Sequence, residues 1–202
     1  MKKILLPVLA LLFVATGAQA QAAKTADITN PETPVIWLGL DFTEARLIGD
    51  LAADENAIKN QHIPDINQLV VNEAKKYDLA KSFKHTNISS DLGFTYAQNK
   101  KIDASKIKST NNDDFTRFKP ETVDKIVAGY DFGDKKGLGV MFIVEALNKT
   151  KAEAAIWVTY IDLGSKKVLQ TVRKEGKAGG FGWRNFWARP VENILDDVRK
   201  GK

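Results

Sequence analysis

From residue 35 the chain runs Val-Ile-Trp-Leu-Gly-Leu-Asp-Phe, a compact apolar block rich in β-branched and aromatic side chains. Such a block predicts a buried strand over 35–42, continuing in bent form towards Leu47 and Ile48. From Pro64 the period changes. Ile66, Leu69, Val70, Ala74 and Tyr77 recur three or four apart, which predicts an amphipathic helix with Asn67, Glu73, Lys75 and Lys76 in solvent. Phe94 and Tyr96 alternate as in a strand, ahead of a polar stretch over 103–119. Pro120 then opens a second helix, with Val123, Ile126, Val127 and Tyr130 in phase and Gly129 at its exit.

The carboxyl-terminal half is more regular. Residues 137–147, 153–163 and 167–174 read as three strands joined by the polar turns 148–151 and 164–166, links short enough to predict an antiparallel meander. In the first of them Val140, Phe142 and Val144 point one way and Met141, Ile143 and Leu147 the other, so both faces need cover. Val191, Ile194, Leu195 and Val198 mark a last helix. The pattern predicts a single α+β domain over 35–202, with a largely antiparallel sheet of about five strands and about three helices.

The amino terminus has a different character. MKKILLPVLALLFVATGAQA joins two lysines, an apolar run and a small-residue cleavage site, the pattern of a bacterial signal peptide over 1–20. Thr16, Gly17 and Gln19 end the apolar run before it reaches the roughly 18 residues of a membrane span, so no transmembrane segment is expected. Residues 21–34, with two prolines and few large apolar side chains, read as a flexible leader. The chain has no cysteine, which removes disulfides, thiolate metal sites, cysteine nucleophiles and a lipoprotein anchor. A periplasmic or secreted protein follows, held by its core alone. Because Lys2 and Lys3 lie in the signal peptide, the net charge of +5 falls to +3 without it. That excess is spread thinly, so no nucleic-acid partner is expected.

Residues able to carry chemistry are few. The chain has only two histidines, His62 and His85, which read as solvent-facing turn residues at the edges of the first helix. Asp54-Glu55 and Asp113-Asp114 lie in polar runs and read as loops or caps, and Asp131 to Gly137 reads as a turn from helix to strand. Glu145 stands in an apolar strand; it either reaches water near the strand end or enters the core with Lys149 or Arg173 as partner. No catalytic residue, metal site or cofactor is predicted.

The segment KAGGFGWRNFWARP, residues 177–190, is the strongest candidate for a site. Gly179, Gly180 and Gly182 free the backbone to approach an anion, the helix behind them offers unpaired N–H groups, and Lys177, Arg184 and Arg189 supply charge. It has neither the G-x-G-x-x-G spacing nor the Gly-Lys-Ser/Thr ending of nucleotide loops. The competing reading is architectural: Phe181, Trp183, Phe186 and Trp187 seal the core, and Pro190 occupies the first helical turn. Arg184 separates the two, since it is paired internally in one and faces an open cleft in the other.

The order GLGVMFIVEALNKTKAEAAIWVTYIDLGSKKVLQTVRK before a final helix resembles an α/β domain of Gram-negative envelope proteins. Its examples are the amino-terminal domain of TolB, the LpoB-type regulators of peptidoglycan synthases and the periplasmic domain of the CsgG curli secretion lipoprotein. The resemblance covers 137–199 and the strand at 35–42, with Val158 and Asp162 standing where that domain has a valine ahead of a closing aspartate. GKAGGFGWRNFWA is also similar to a stretch in uncharacterised secreted Bacteroides-type proteins. The resemblance implies a non-enzymatic binding or assembly module of the envelope, working through an envelope protein or self-association. Lys177, Phe181, Trp183, Arg184, Trp187 and Arg189 are the candidate contacts, and a small anionic ligand or an enzymatic role at the same segment is the alternative.

Overall fold

The structure, a computed structural model, describes residues 27–202, so the signal-peptide pattern and residues 21–26 of the leader lie outside the described residues. In chain order the strands are β1 (Val35–Asp41), β2 (Arg46–Ile48), β3 (Ile88–Ser90), β4 (Lys108–Ser109), β5 (Leu138–Asn148), β6 (Glu153–Asp162) and β7 (Lys167–Lys177). The helices are α1 (Glu55–Ala57), α2 (Ile63–Asn72), α3 (Leu79–Phe83), α4 (Gly93–Asn99), α5 (Pro120–Ala128) and α6 (Trp183–Lys200), with a π-helical turn, Ile58–His62, joining α1 to α2. Among the described residues no helix is long and apolar enough to cross a membrane.

The fold is α/β, which corrects the expected α+β domain with a largely antiparallel sheet of about five strands and about three helices. The sheet has seven strands, and β1–β3, β1–β5, β2–β4 and β2–β5 all pair in parallel. Only β5–β6 and β6–β7 are antiparallel, the meander that the short turns predict. β1 and β2 lie one after the other along the same edge of β5, as a single bent strand would. The parallel direction follows from the helical connections between successive strands: α1, α2 and α3 lie between β2 and β3, α4 between β3 and β4, and α5 between β4 and β5. β2, β3 and β4 span only two or three residues, too short to print a period on the sequence. Phe94 and Tyr96, expected in a strand, lie in α4.

β5 is buried along its whole length, as its two apolar faces require. On one face Val140, Phe142 and Val144 join Trp37, Leu40, Ile66, Val70, Trp187, Val191 and Ile194 in the larger core. On the other, Met141 and Ile143 join Leu38, Val123, Val127, Phe132 and Trp157. α5 starts at Pro120 and exits at its cap Gly129 as predicted, and its Val123 and Val127 face this second core.

β1 is bulged between Trp37 and Gly39, and past the bulge, on the edge that β3 lines only as far as Trp37, three helical side chains take the place of a neighbouring strand. Asn67 accepts from the Leu40 N–H (2.7 Å) and donates to the Leu40 carbonyl (3.1 Å). Asn99 accepts from the Phe42 N–H (2.8 Å) and donates to the Leu40 carbonyl (3.0 Å), and the Thr95 hydroxyl donates to the Leu38 carbonyl (2.6 Å). Asn67 is therefore buried, against the solvent position expected for it. Gly39 has φ +95°, and a Cβ there would stand 2.4 Å from Asn67 Oδ1, so only glycine admits this approach.

Two carboxylates sit inside. Glu145 takes the second of the two places the sequence leaves it, inside the core with Arg173: it is buried and accepts from the Phe118 N–H (2.6 Å), Trp157 Nε1 (3.0 Å) and Arg173 Nε (2.8 Å). Arg173 also donates to Glu175 Oε1 (2.6 Å) and to the Phe115 carbonyl (2.6 Å), so a cation and two N–H donors compensate the desolvated charge. Asp41, at the end of β1, accepts from the Thr43 N–H (2.7 Å), the Thr43 hydroxyl and the Tyr130 hydroxyl. Burial pushes its carboxyl above the usual range, and these hydrogen bonds offset part of the rise.

Glu145→Ala or Arg173→Ala should each cost about 3–5 kcal/mol in urea unfolding, because either change strands buried polar partners. The double variant should cost less than the sum of the two, and additive losses would show that the pair is not coupled. For Asp41, the raised folded-state pKa means that its contribution favours the fold below the ordinary carboxylate range and is lost as pH rises through the folded value. Asp41→Asn should therefore gain stability relative to the parent as pH is raised from about 4 to 8. Parallel stability–pH curves would contradict this.

Candidate functional site

The 177–190 segment is held in place at its strand end and within its last helix. Gly176 of β7 is buried against α6, where an added Cβ would fall 2.6 Å from the Pro190 carbonyl oxygen and 2.8 Å from its Cα. Ala178 N–H donates to the Ala152 carbonyl (2.7 Å), and Asn193 Nδ2 donates to the Lys177 carbonyl (2.9 Å). The chain is then turned by Gly180 (φ +110°) and Gly182 (φ +80°), conformations that favour glycine, and α6 begins at Trp183.

Pro190 lies inside α6, where the first turn had been expected. A proline has no N–H, so the carbonyl four residues back, that of Phe186, loses its helical partner. Gly179 N–H supplies the missing donor at 3.1 Å. The proline and the glycine loop are thus one device: the helix accepts an interior proline because the loop folds back onto the carbonyl it frees. Asn185 Nδ2 closes the other side of the turn on the Phe181 carbonyl (3.1 Å).

The loop forms one wall of an open cleft of about 650 Å³, with the end of α2 and the turn after it, at Glu73 and Lys76, opposite. Lys177, Arg184 and Arg189 all line it, together with Lys76. Glu192 Oε2 lies 3.6 Å from Lys76 and 3.3 Å from Arg189, and Lys76 is also 3.8 Å from Glu73. Among the described residues Lys177 and Arg184 form no ion pair; Arg184 Nε donates only to Asn185 Oδ1 (3.2 Å). The Gly182 cap contributes no side-chain acceptor to the first N–H groups of α6.

The six sequence candidates divide. Lys177, Phe181, Arg184 and Arg189 face the cleft. Trp187 is 2% exposed and packs edge-on against Phe186 (4.9 Å) and Trp183 (6.2 Å), so it belongs to the core. Trp183 is half-buried and stacks on the His62 ring at 4.8 Å. Phe181, expected to be buried with the other aromatics, is 95% exposed, between Gly180 and Gly182. Arg184, the residue that separates a site from architecture, faces open space.

His85, expected in solvent, is buried with Nδ1 3.0 Å from the Thr33 carbonyl, and it is remote in the chain from the His62–Trp183 stack. Among the described residues no three His, Asp or Glu side chains converge as a metal cage would need. Lys76, Glu73 and Glu192 were not legible as parts of the site. The first two arrive from the turn that follows α2, about a hundred residues earlier in the chain, and only the doublet Lys75-Lys76 hinted at charge there.

Compared with known proteins, the chain matches no protein-family model and no curated protein sequence.

Proposed function

We propose that the protein is an exported, non-enzymatic binding module of the bacterial cell envelope that grips an acidic segment of a partner protein in the cleft beside 177–190. Lys177 and Arg184 supply charge that no carboxylate pairs with among the described residues, and Phe181 adds an exposed aromatic next to them. An unpaired arginine beside an aromatic at an open cleft is the anatomy of an interface hot spot. This juxtaposition carries the reading: a 95% exposed phenyl ring beside cations at the rim of a cleft offers apolar area that a partner can bury together with its acidic group. The envelope placement rests on the signal-peptide pattern of residues 1–20 and on the resemblance of 137–199 to periplasmic domains.

A second reading, a small anionic ligand, draws on the same unpaired cations. The two differ in what Phe181 does, since a phosphate-sized ligand needs no phenyl ring.

A fluorescent peptide alternating glutamate with leucine, and inorganic phosphate, separate them. The peptide should bind the parent protein, and Lys177→Ala with Arg184→Ala should weaken it about tenfold or more, as loss of charge-assisted hydrogen bonds does. Phe181→Ala should weaken the peptide and leave phosphate unchanged. Phosphate binding alone supports the second reading, and failure of both probes at low salt overturns the site.

A further inference from the structure

A separate cavity of about 360 Å³ opens between the start of α2 and α4. Its floor is apolar, formed by the buried Ile63, the Pro64 ring and the Tyr96 ring. Lys59, half-buried, and Lys100, exposed, also line the cavity, and no carboxylate does. Among the described residues neither lysine forms an ion pair. The carboxylate nearest in the sequence of α2, Asp65, adds to the rise that burial imposes on the Tyr96 phenol, yet lies outside the wall, next to His62.

Two features make this a built cavity. First, both walls are fastened to the end of the same strand. Asn99, in the α4 wall, holds the Phe42 N–H and the Leu40 carbonyl, while Asn67, one turn beyond Ile63 in α2, holds the Leu40 N–H and carbonyl as well as the Ile63 carbonyl (3.2 Å). The gap between the helices is therefore set by β1, and a ligand entering it would meet a preformed site, with little ordering cost. Second, the chain enters α2 through the π-helical turn Ile58–His62, where Ile63 N–H reaches back to the Ile58 carbonyl. That wider turn carries Lys59, and such turns recur at functional sites.

We propose that this cavity is a second binding site, for a small carboxylate borne on an aromatic or alicyclic ring, with the ring on Tyr96, Pro64 and Ile63 and the carboxylate between Lys59 and Lys100. The two parts of the site select two parts of the ligand. A neutral ring forfeits the ammonium groups, and a bare anion leaves the apolar floor wet. The cavity is independent of the cleft at 177–190, sharing none of its lining residues.

Phenylacetate, phenylacetamide and acetate are the probes, followed by NMR on the whole protein through the Ile63 methyls and the Tyr96 ring. Phenylacetate should give saturable shifts at both residues, with the amide and acetate at least about tenfold weaker. Lys59→Ala with Lys100→Ala should lower phenylacetate affinity about tenfold with little change in melting temperature, since Lys100 is exposed, Lys59 only half-buried, and neither forms an ion pair among the described residues. Lys177→Ala with Arg184→Ala should leave it as it was, which separates this site from the cleft. The proposal is overturned if phenylacetate gives no saturable shift, if the amide binds equally well, or if the lysine variant binds like the parent.

Discussion

Every residue of β5 is buried, and that one constraint organises the molecule. A strand in this position needs partners on both edges and apolar cover on both faces. β1 and β2 supply one edge in parallel and β6 the other in antiparallel, while two cores, one centred on Trp37 and Phe142 and one on Met141 and Phe132, supply the faces. Glu145 lies in the middle of this strand, so its charge is tolerated only because Arg173, Trp157 and Phe118 reach it. The helices that cover the first face also position α6, and with it the glycine loop.

What could be read from the sequence was whatever repeats. The three carboxyl-terminal strands, α5 and the apolar stripe of α6 carry period and length enough to be seen, and so does the two-sided burial of β5. Strand direction was hidden, because a parallel pairing depends on a crossover of nearly a hundred residues whose short strands leave no alternation. Phe94 and Tyr96 alternate, but in a helix of seven residues: Phe94 packs on Phe132 while Tyr96 lines the small cavity. Asn67, Thr95 and Asn99 look like ordinary surface residues, and their task of closing the edge of β1 exists only in three dimensions.

The site was partly legible for the same reason. Composition alone flagged 177–190, and four of its candidates line the cleft. Aromaticity could not tell Phe181 from Trp187, because exposure depends on which side of Gly182 the residue falls: Phe181 is in the turn and Trp187 one turn into α6. Pro190 misled by its usual place at a helix start. Its interior position works through Gly179, and that hydrogen bond ties the loop to the helix carrying Arg184 and Arg189. The cleft is thus a product of the fold's closure, with cations left over at its rim.

The central claim is that the unpaired cations beside the glycine loop receive an acidic group. Backbone NMR of the protein titrated with inorganic phosphate and with a glutamate-leucine peptide tests it directly. The account predicts that amide shifts cluster at residues 177–189 and near Lys76, with the Gly179 amide staying protected by the Phe186 carbonyl and the peptide alone moving the Phe181 ring. Shifts scattered over the surface lysines, or absent from the loop at low salt, would contradict it.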